Sequence, residues 1–497
     1  MGTSMKPGLS KSKILSYRQC PKRLWLEKRM PEVAETSDAS ERAFAIGHAV
    51  GAAAQSLLPN GFLVEYQEDL RRAVAVTREA LAAFPDRPIF EAAFDHDGVL
   101  IRADVLIPEG RKYRLCEVKA ASGVKDYYLD DCAVQAWVLR ANGLVLSDVE
   151  LLHIDTSFVY PGGGRYEGLF SKVSLDGRLP EAEVPDWVDG ARTVLSQPEP
   201  TVAMGPHCDD PFTCPFKTYC ARNDPPAPDY PVASLPRGGK LAQRLADEGF
   251  ADLRDVPVER LTSTVHRRVH AATVSGMPYV SPHVANVVRD LAYPRYFMDF
   301  ETARFAVPIW AGTRPYQQVP FQWSVHVEHA TGHLEARMFL HLNAEDPREA
   351  FLLSLLAAVG DAGPVLAYYA SFERSRIEEL ADAFPQHRAA AEALTARIVD
   401  LHPIAREHYY HRDMRGSWSL KAVLPTVAPD LDYANLEDVQ EGGAAEAAFQ
   451  EAMSTDTTPE RRDVLRKALE VYCARDTLAL VRLVAYFSAA PPSGLAQ

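Results

Sequence analysis

The sequence lacks an apolar run long enough to cross a membrane, and its first residues lack the apolar core of a secretory signal peptide. We therefore expect a cytoplasmic protein with no membrane partner. The sequence also lacks an excess of basic residues, because its formal net charge is −14 at pH 7. That charge excludes a nucleic-acid affinity spread over the whole surface, so any contact with a polynucleotide must come from a local basic patch.

Cysteine is scarce, with seven residues in a chain of 497. Stable disulfides are rare in the cytosol, so clustered cysteines there point to a metal. Cys20 stands at a predicted helix break before Pro21, after a helix that Ser10 caps. Three more cysteines follow at C-x5-C-x5-C spacing, namely Cys208, Cys214 and Cys220. Four thiolates suit either zinc or an iron-sulfur cluster. The apolar contexts of Cys116, Cys132 and Cys473 predict core positions.

The composition, 47% hydrophobic and 24% charged, is typical of a globular protein with two or three domains at this length. The proline-rich stretch 221–231 predicts an extended linker and a domain boundary. The first 30 residues form a basic strip against one acid, Glu27. The strip contains Lys6, Lys11, Lys13, Arg18, Lys22, Arg23, Lys28 and Arg29. It is either a solvated helix face or a phosphate-binding surface.

A predicted β-hairpin carries the most informative polar residues of the first half. Apolar and polar residues alternate over 101–107, and a second strand follows a turn and covers 113–118. This pairing places Asp104 near Glu117 and Lys119. Two carboxylates on neighbouring strands can share a divalent cation, and a lysine on the same face can position a water, as phosphodiester hydrolysis requires. The alternative is an exposed strand edge decorated with charge.

Two predicted helices add polar residues to this hairpin. His48 lies in a helical stretch over 44–51, and Gln135 lies in another over 127–139. A histidine on an ordinary helix is more often structural than a ligand, so His48 has both interpretations.

These elements, in this order, resemble the RecB-like PD-(D/E)XK nucleases that carry an iron-sulfur cluster, which include the CRISPR-associated exonucleases and AddB. The resemblance covers residues 9–220 and implies Mg²⁺ or Mn²⁺, a [4Fe-4S] cluster and bound DNA. The implied catalytic residues are Asp104, Glu117, Lys119 and Gln135, with His48, Asp104 and Glu117 on the divalent cation. The implied cluster ligands are Cys20, Cys208, Cys214 and Cys220, and the implied DNA contacts are Arg18, Lys22 and Arg23. Leu139 stands where this family has a tyrosine four residues after the glutamine.

After the linker, residues 226–290 are predicted to form a small helical spacer. One helix covers 240–250, turns at Gly249 and leads into a second short helix over 253–261. The pattern resembles a helix-hairpin-helix, whose turn amides can hold a phosphate. A plain helical spacer is the alternative.

The last part, residues 291–497, is predicted to carry a second acid group. Asp299 and Glu301 lie two positions apart on an apolar strand, so both side chains project from the same face. Tyr472 and Asp476 lie four positions apart on the last predicted helix and share a face. Strands and helices are predicted over 295–302, 320–327, 334–341, 348–359, 365–373 and 459–485.

This order, over residues 295–480, resembles the RNase H-like 3′-5′ exonucleases of the DEDD group, in the subclass with tyrosine. The resemblance implies two cations held by Asp299, Glu301, Glu373 and Asp476, with Tyr472 orienting the attacking water. Most relatives have aspartate at the position of Glu373. The stretches 398–401 and 416–421 also resemble the middle of bacterial RecB-like/RNase H-like fusion proteins, which makes Asp400 a secondary candidate.

The resemblances imply an α/β protein with a PD-(D/E)XK restriction-endonuclease-like domain over 1–225, the spacer, and an RNase H-like domain over 291–497. They imply a metal-dependent deoxyribonuclease, an exonuclease that acts on DNA with single strands or free ends, in repair, recombination or defence against foreign DNA. A helicase or defence-system proteins would be its partners. The alternative is a nucleic-acid-binding protein whose sites have lost catalysis, which Leu139 and Glu373 favour.

Overall fold

The computed structural model describes residues 8–35, 38–65, 70–431, 439 and 441–490, so Lys6 of the basic strip lies outside the described residues. The chain divides into two compact units, Met1–Pro225 with Phe305–Tyr316, and Pro226–Arg304 with Gln317–Gln497. Both units combine helices with a β-sheet, which confirms the predicted α/β class. Among the helices of the described ranges, none is long and apolar enough to cross a membrane.

The first unit contains both strands and helices, in mixed order along the chain. They are β1 Leu9–Ser10, α1 Lys11–Gln19, α2 Pro21–Arg29, α3 Asp38–Ser56, β2 Phe62–Leu63, α4 Leu70–Ala83, β3 Ile89–His96, β4 Val99–Glu109, β5 Lys112–Lys119, α5 Asp126–Ala141, β6 Leu146–Ile154, β7 Phe170–Ser174, α6 Val184–Ser196 and α7 Lys217–Ala221. The sheet has the strand order β2-β3-β4-β5-β6-β7, and β1 pairs in parallel with β4.

The predicted hairpin is confirmed as the antiparallel pair β4 and β5. Gly110, at φ +64°, occupies the turn in the left-handed region that glycine adopts without steric cost. Strand β6 pairs in parallel with β5, and helix α5 makes the connection between them. Buried residues of α5, among them Val134 and Val138, belong to the main core of this unit, so the helix covers the sheet.

The N-terminal helices begin and end where the sequence predicts. The Ser10 side chain accepts a hydrogen bond from the Lys13 amide at 3.3 Å and caps α1. Pro21 occupies the first turn of α2, where its missing N–H would have no helical partner. Cys20 therefore lies at the break between two short helices.

The segment Phe305–Tyr316 belongs to the first unit although its sequence neighbours belong to the second. Ala306 lies in a buried apolar cluster with Val50, Ile154 and Leu169. Backbone hydrogen bonds add to this packing, because the Tyr160 amide donates to the Thr313 carbonyl at 2.9 Å. The predicted boundaries treat each half as continuous, whereas burial of these apolar side chains places this segment with residues 1–225.

The second unit has its own sheet and a longer set of helices. Its elements are α8 Gly239–Asp247, α9 Thr264–Ser275, β8 Tyr279–Val280, α10 Val284–Arg289, β9 Arg295–Ala303, β10 Val319–Glu328, β11 Leu334–Leu340, α11 Arg348–Ala358, β12 Val365–Ala367, α12 Ser371–Ala383, α13 Arg388–Thr395, β13 Ile398–Asp400, α14 Leu401–His408, β14 Tyr409–Tyr410, α15 Leu420–Val427, α16 Gly442–Met453 and α17 Pro459–Ser488. The strand order is β11-β10-β9-β12-β13. Strand β9 pairs antiparallel with β10 and parallel with β12, and β12 pairs in parallel with β13.

The predicted second helix of the spacer is wrong. Residues 253–261 form two separate 3₁₀ turns, Leu253–Asp255 and Val258–Arg260, so they do not complete a helix-hairpin-helix. The Asp252 side chain accepts the Arg254 amide at 2.9 Å, and Pro257 has no N–H to extend a helix from the first turn. Residues of the spacer such as Leu245 and Val269 share one apolar core with Phe297 and Leu483, so the segment is part of the second unit.

Gly416 allows a close approach between two chain segments of the second unit. It has φ +78°, and a Cβ atom at this position would lie 1.7 Å from the Ser234 carbonyl oxygen. No side chain fits there without movement of the backbone. The stretch 416–421, which the sequence singles out, therefore includes a residue that the packing of this unit requires.

Candidate functional site

The β4–β5 hairpin brings Asp104 and Glu117 together, as predicted. The register pairs Val105 with Cys116, so Asp104 and Glu117, the next residues on the two antiparallel strands, lie opposite each other. The Val118 amide donates a hydrogen bond to Asp104 Oδ2 at 2.8 Å and fixes that carboxylate. Burial raises the pKa of Asp104 to about 8, and the neighbouring Glu117 charge adds to the rise.

Glu117 is 1% exposed, and its carboxylate accepts hydrogen bonds from three donors. Its Oε1 accepts from Lys119 Nζ at 2.6 Å and from Lys11 Nζ at 3.0 Å. Its Oε2 accepts from Gln135 Nε2 at 2.7 Å. Gln135 Oε1 is buried and has no hydrogen-bond partner in the described part of the chain, so an acceptor remains open beside the two acids.

Asp131 completes this group and is absent from the sequence-based prediction. Its Oδ2 lies 2.5 Å from Lys119 Nζ, and its Oδ1 lies 2.8 Å from Lys11 Nζ. Burial alone would raise the pKa of Asp131, but the two ammonium groups outweigh burial and lower it. Burial likewise disfavours the charged lysines, yet the carboxylates of Asp131 and Glu117 raise the pKa of both. Asp131 therefore holds both lysines in place.

Sequence carries a signal for Asp131 but none for Lys11. Asp131 precedes Gln135 by one helical turn on α5, so the two residues share a face. Lys11 is 106 positions from Glu117 and stands in the basic strip without a distinguishing motif. Only the packing of α1 against α5 brings it to the acids.

His48, the remaining predicted member of this site, and Leu139, which stands at the family's tyrosine position, have different surroundings. His48 lies on α3, as predicted, but its side chain is exposed and its ring lies 5.7 Å from that of Phe44. Within the described ranges, His48 is not part of a group of three ligand atoms that lie within 4.8 Å of one another. Leu139 is fully buried in the apolar core, where it has no polar role.

Most described basic residues of the strip pair with acids, either Glu27 within the strip or acids from elsewhere in the first unit. Three residues were predicted to contact DNA, and each has an acidic neighbour: Arg18 with Asp130, Lys22 with Glu199 and Arg23 with Glu27. Arg18 also stacks on the Trp187 ring at 4.3 Å. The count of a single acid in the first 30 residues includes Glu27 but misses Asp130 and Glu199, because these two come from distant segments.

The four predicted cluster ligands converge. Cys20, Cys208, Cys214 and Cys220 line a single pocket, together with the basic side chains of Lys22, Arg23 and Lys217. No three of the four thiols, all within the described residues, lie within 4.8 Å of one another. Four thiolates at one pocket suit either zinc or an iron-sulfur cluster. The other three cysteines, Cys116, Cys132 and Cys473, are buried as predicted.

The second unit gathers a buried acid group at the middle of β9. Ligand atoms of Asp299, Glu301 and Cys473 lie within 4.8 Å of one another. Burial raises the pKa of Asp299 and of Glu301, and Asp476 on α17 adds to both rises. Such repulsion between buried carboxylates is offset when a cation binds, and carboxylate oxygens are the ligands that Mg²⁺ and Mn²⁺ prefer.

Cys473 occupies the predicted core position and also lies beside these acids. Its Sγ lies 3.9 Å from the Asp299 carbonyl oxygen, and its side chain is fully buried. It follows Tyr472 in the sequence and points to the same acids. A position inside a Y-x-x-x-D helix could have suggested this, because residues three apart share a face.

Glu373 lies in the first turn of α12, one connection after β12, and is 2% exposed. Its Oε2 has no hydrogen-bond partner among the described residues. Burial raises the pKa of Glu373 to about 8, and Asp400 adds to this. Asp400, the secondary candidate, caps α14 through the His402 amide at 2.9 Å and also accepts the Tyr369 amide at 3.0 Å.

Helix α17 is fixed to β10 by buried hydrogen bonds that sequence does not reveal. Thr477 Oγ1 lies 2.9 Å from Ser324 Oγ and 2.8 Å from His326 Nδ1. Gln322 Nε2 donates to the Leu469 carbonyl at 2.9 Å. These contacts set the rotation of α17 and direct Tyr472 and Asp476 to the acids on β9. Burial and three neighbouring acids raise the pKa of Tyr472, so its hydroxyl stays protonated.

Comparisons with known proteins give little further information. The sequence model of a family described as a domain of unknown function (DUF2779) matches residues 296–419. No curated protein matches the chain. Among solved structures, the crystal structure of SSO0001 is similar at 14% identity and a TM-score of 0.23, over 44% of this chain and 88% of that chain. A similarity of that size supports no argument about fold or activity.

Proposed function

We propose that this protein is a metal-dependent nuclease that hydrolyses phosphodiester bonds of DNA. In this proposal, the first unit has a RecB-like PD-(D/E)XK nuclease fold with an iron-sulfur cluster. The second unit has an RNase H-like fold with a DEDD-type 3′-5′ exonuclease site. DNA repair, recombination or defence against foreign DNA is the process that such an enzyme would serve.

One observation carries the proposal: in each unit, acids from separate chain segments meet at the predicted positions in a buried group. The acids of the second unit come from β9 and from α17, about 175 residues later, and their pKa values are raised by mutual repulsion. Buried like charges cost free energy, and proteins keep them where a ligand uses them.

The first site would hold a divalent cation between Asp104 and Glu117, with Gln135 beside it. The second would hold two cations on Asp299, Glu301, Glu373 and Asp476. When bound, such cations polarise a phosphoryl oxygen and lower the pKa of a water molecule.

The chain's own residues do the remaining work. Lys119 keeps its charge because Glu117 and Asp131 raise its pKa, so it can donate hydrogen bonds to an anionic phosphate or to a water. In the second site, the protonated Tyr472 hydroxyl can donate a hydrogen bond that orients a water.

The four cysteines fit a [4Fe-4S] cluster. They face one pocket, and Lys22, Arg23 and Lys217 can balance the negative charge of a thiolate-bound cluster. Such a group would tie Cys20 to residues 208–220 and so close most of the first unit into one loop.

A binding protein without catalysis is the second candidate. The hydrogen bonds of Glu117 favour this second candidate. Its two carboxylate oxygens already accept hydrogen bonds from two lysines, Lys11 and Lys119, and from the side-chain amide of Gln135. A cation would have to compete with those donors.

The decisive test incubates the full-length chain with end-labelled single- and double-stranded DNA and RNA, in Mg²⁺, Mn²⁺ or EDTA. We expect cation-dependent hydrolysis of DNA that Glu117→Ala and Asp299→Ala each reduce and that the double variant lacks. Leu100→Ala, a change on β4 away from the acids, is the control for preparation and folding. Binding without hydrolysis in every condition would establish the second candidate instead.

A further inference from the structure

Tyr369 is an exposed aromatic residue in a strained conformation beside the acid group of the second unit. It stands between β12 and α12 with φ +61°, in the left-handed region that bulky side chains rarely adopt. Nearly half of the residue, 46%, is exposed. Strain of this kind persists where surrounding contacts enforce it, and it occurs most often at functional sites.

Named contacts enforce this conformation. Asp400 Oδ1 accepts the Tyr369 amide at 3.0 Å, and the preceding Tyr368 donates its hydroxyl to the Trp418 carbonyl at 2.6 Å. The Tyr369 ring stacks on His402, with 3.9 Å between ring centroids and 25° between planes. His402 thus supports one face of the tyrosine ring while the residue stays open to solvent.

A guanidinium group lies beside this stack, because Arg406 follows His402 by about one turn of α14 and shares its face. Burial lowers the pKa of His402, and the charges of Arg406 and Arg237 lower it further, whereas the Asp400 carboxylate raises it. In the described part of the chain, no hydrogen bond or ion pair engages the Arg406 side chain. Positive charge that is not neutralised locally can bind phosphate.

The stack lies close to the predicted cation ligands. Glu373 follows Tyr369 by four residues, and the amide of its neighbour Phe372 donates a hydrogen bond to the Tyr369 carbonyl at 3.0 Å. An aromatic face next to a guanidinium group is the combination that binds unpaired bases and their phosphates, since every base has a face that can stack.

We propose that Tyr369, supported by His402, is a stacking platform for the unpaired terminal base of a single-stranded polynucleotide, with Arg406 binding its phosphates. This inference rests on the proposed nuclease function and specifies how the second site receives a strand end. An unpaired base is common to DNA and RNA, so the experiment compares both.

The test is photo-cross-linking of the full-length chain to short oligonucleotides that end in 5-iodouracil, as deoxyribose and ribose versions, in EDTA to prevent hydrolysis. Mass spectrometry of the digest locates the cross-link, which separates this platform from any binding by the first unit. We expect the labelled peptide to contain Tyr369 or His402. The sugar that gives the higher yield identifies the preferred polymer.

Substitutions sharpen the test. Loss of one base–aromatic stack should lower the yield with Tyr369→Ala by about 5- to 150-fold, whereas Tyr369→Trp should retain it. The control is Tyr293→Ala, because Tyr293 is 43% exposed, carries a stacked Arg295 and precedes β9 at the opposite end of the parallel strands. Its yield should not change.

Tyr369→Gly separates a functional from a structural role. Glycine adopts φ +61° without strain, so the variant should unfold at a higher temperature while its cross-link yield falls as in Tyr369→Ala. A cross-link confined to other peptides, or an unchanged yield in Tyr369→Ala, would overturn the platform. In that case, hydrolysis by the wild-type chain would still support the proposed function. If the wild-type chain neither bound nor hydrolysed any of these polynucleotides, both the platform and the proposed function would be overturned.

Discussion

Lys11 Nζ lies 2.8 Å from Asp131 Oδ1, so the first described helix of the chain reaches the acid group of the β4–β5 hairpin. The same helix, α1, ends at Gln19, directly before Cys20. One short helix therefore carries a contact of the acid group at one end and a predicted cluster ligand just beyond the other. Loss of the cluster should consequently disturb Lys11 as well as the fold around the cysteines.

We predict that Asp131→Ala destabilises the first unit by on the order of 3 kcal/mol, because it leaves two largely buried lysines without this partner. Asp130→Ala is the matched control, since Asp130 pairs with the half-exposed Arg18 and its loss should cost less than about 1 kcal/mol. Urea unfolding followed by tryptophan fluorescence measures both. Equal effects of the two substitutions would show that Asp131 does not anchor the lysines.

We predict that protein purified without oxygen is brown and contains iron and labile sulfide in near-stoichiometric amounts. Cys214→Ser should remove the colour and lower the thermal unfolding temperature, because a bound metal group stabilises the fold that forms its site. Cys132→Ser, a change of a buried cysteine outside the pocket, should keep the colour. Colourless protein with bound zinc would refute the iron-sulfur cluster but retain a four-cysteine site.

Sequence predicted the elements better than the contacts between them. The hairpin, the Cys20 helix break, β9 and α17 follow from local periodicity, caps and turns, and they are present. Lys11, and the acids opposite Arg18 and Lys22, depend on packing between segments more than 100 positions apart, which no local pattern encodes. The helix predicted over 253–261 is wrong for a local reason, because Asp252 and Pro257 favour short turns over a helix.

The two acid groups differ in how far sequence revealed them. Asp299, Glu301, Tyr472 and Asp476 converge as expected, because a strand face and a helix face each align residues at a fixed spacing. His48 does not reach the acids of the first unit, because a position on a predicted helix does not say which face of the helix meets the sheet. The positive φ of Tyr369 was equally hidden, because the Asp400 side chain that helps to hold it comes from another strand.

We predict that Asp299→Ala lowers the rate of a Mg²⁺-dependent 3′-5′ hydrolysis by about 10³-fold, the effect of losing several kcal/mol of charge stabilisation. Tyr472→Phe should lower it only about 10-fold, since it removes one hydrogen bond. Both are measured in a Glu117→Ala background, so that the first site does not contribute. Complete loss of activity with Glu117→Ala alone would leave the second unit as a binding module.

We predict that Gly416→Ala strongly destabilises the second unit, because the added Cβ would lie 1.7 Å from the Ser234 carbonyl oxygen. Gly332→Ala is the control, since Gly332 also has a positive φ, at +80°, but its Cβ would meet nothing within 4 Å. The control should lose about 1 kcal/mol through backbone strain alone. Thermal unfolding of both variants distinguishes the steric clash from the conformational preference.

The placement of Phe305–Tyr316 in the first unit sets an order of events during synthesis. A ribosome that has completed residue 225 must add roughly 90 more residues before this segment exists, which takes about 5–18 s at about 5–20 residues per second. Until then, Val50, Ile154 and Leu169 lack Ala306 as a packing partner. The nascent first unit is therefore open to chaperones and proteases during this interval, and it is complete only after β9 of the second unit has been synthesised.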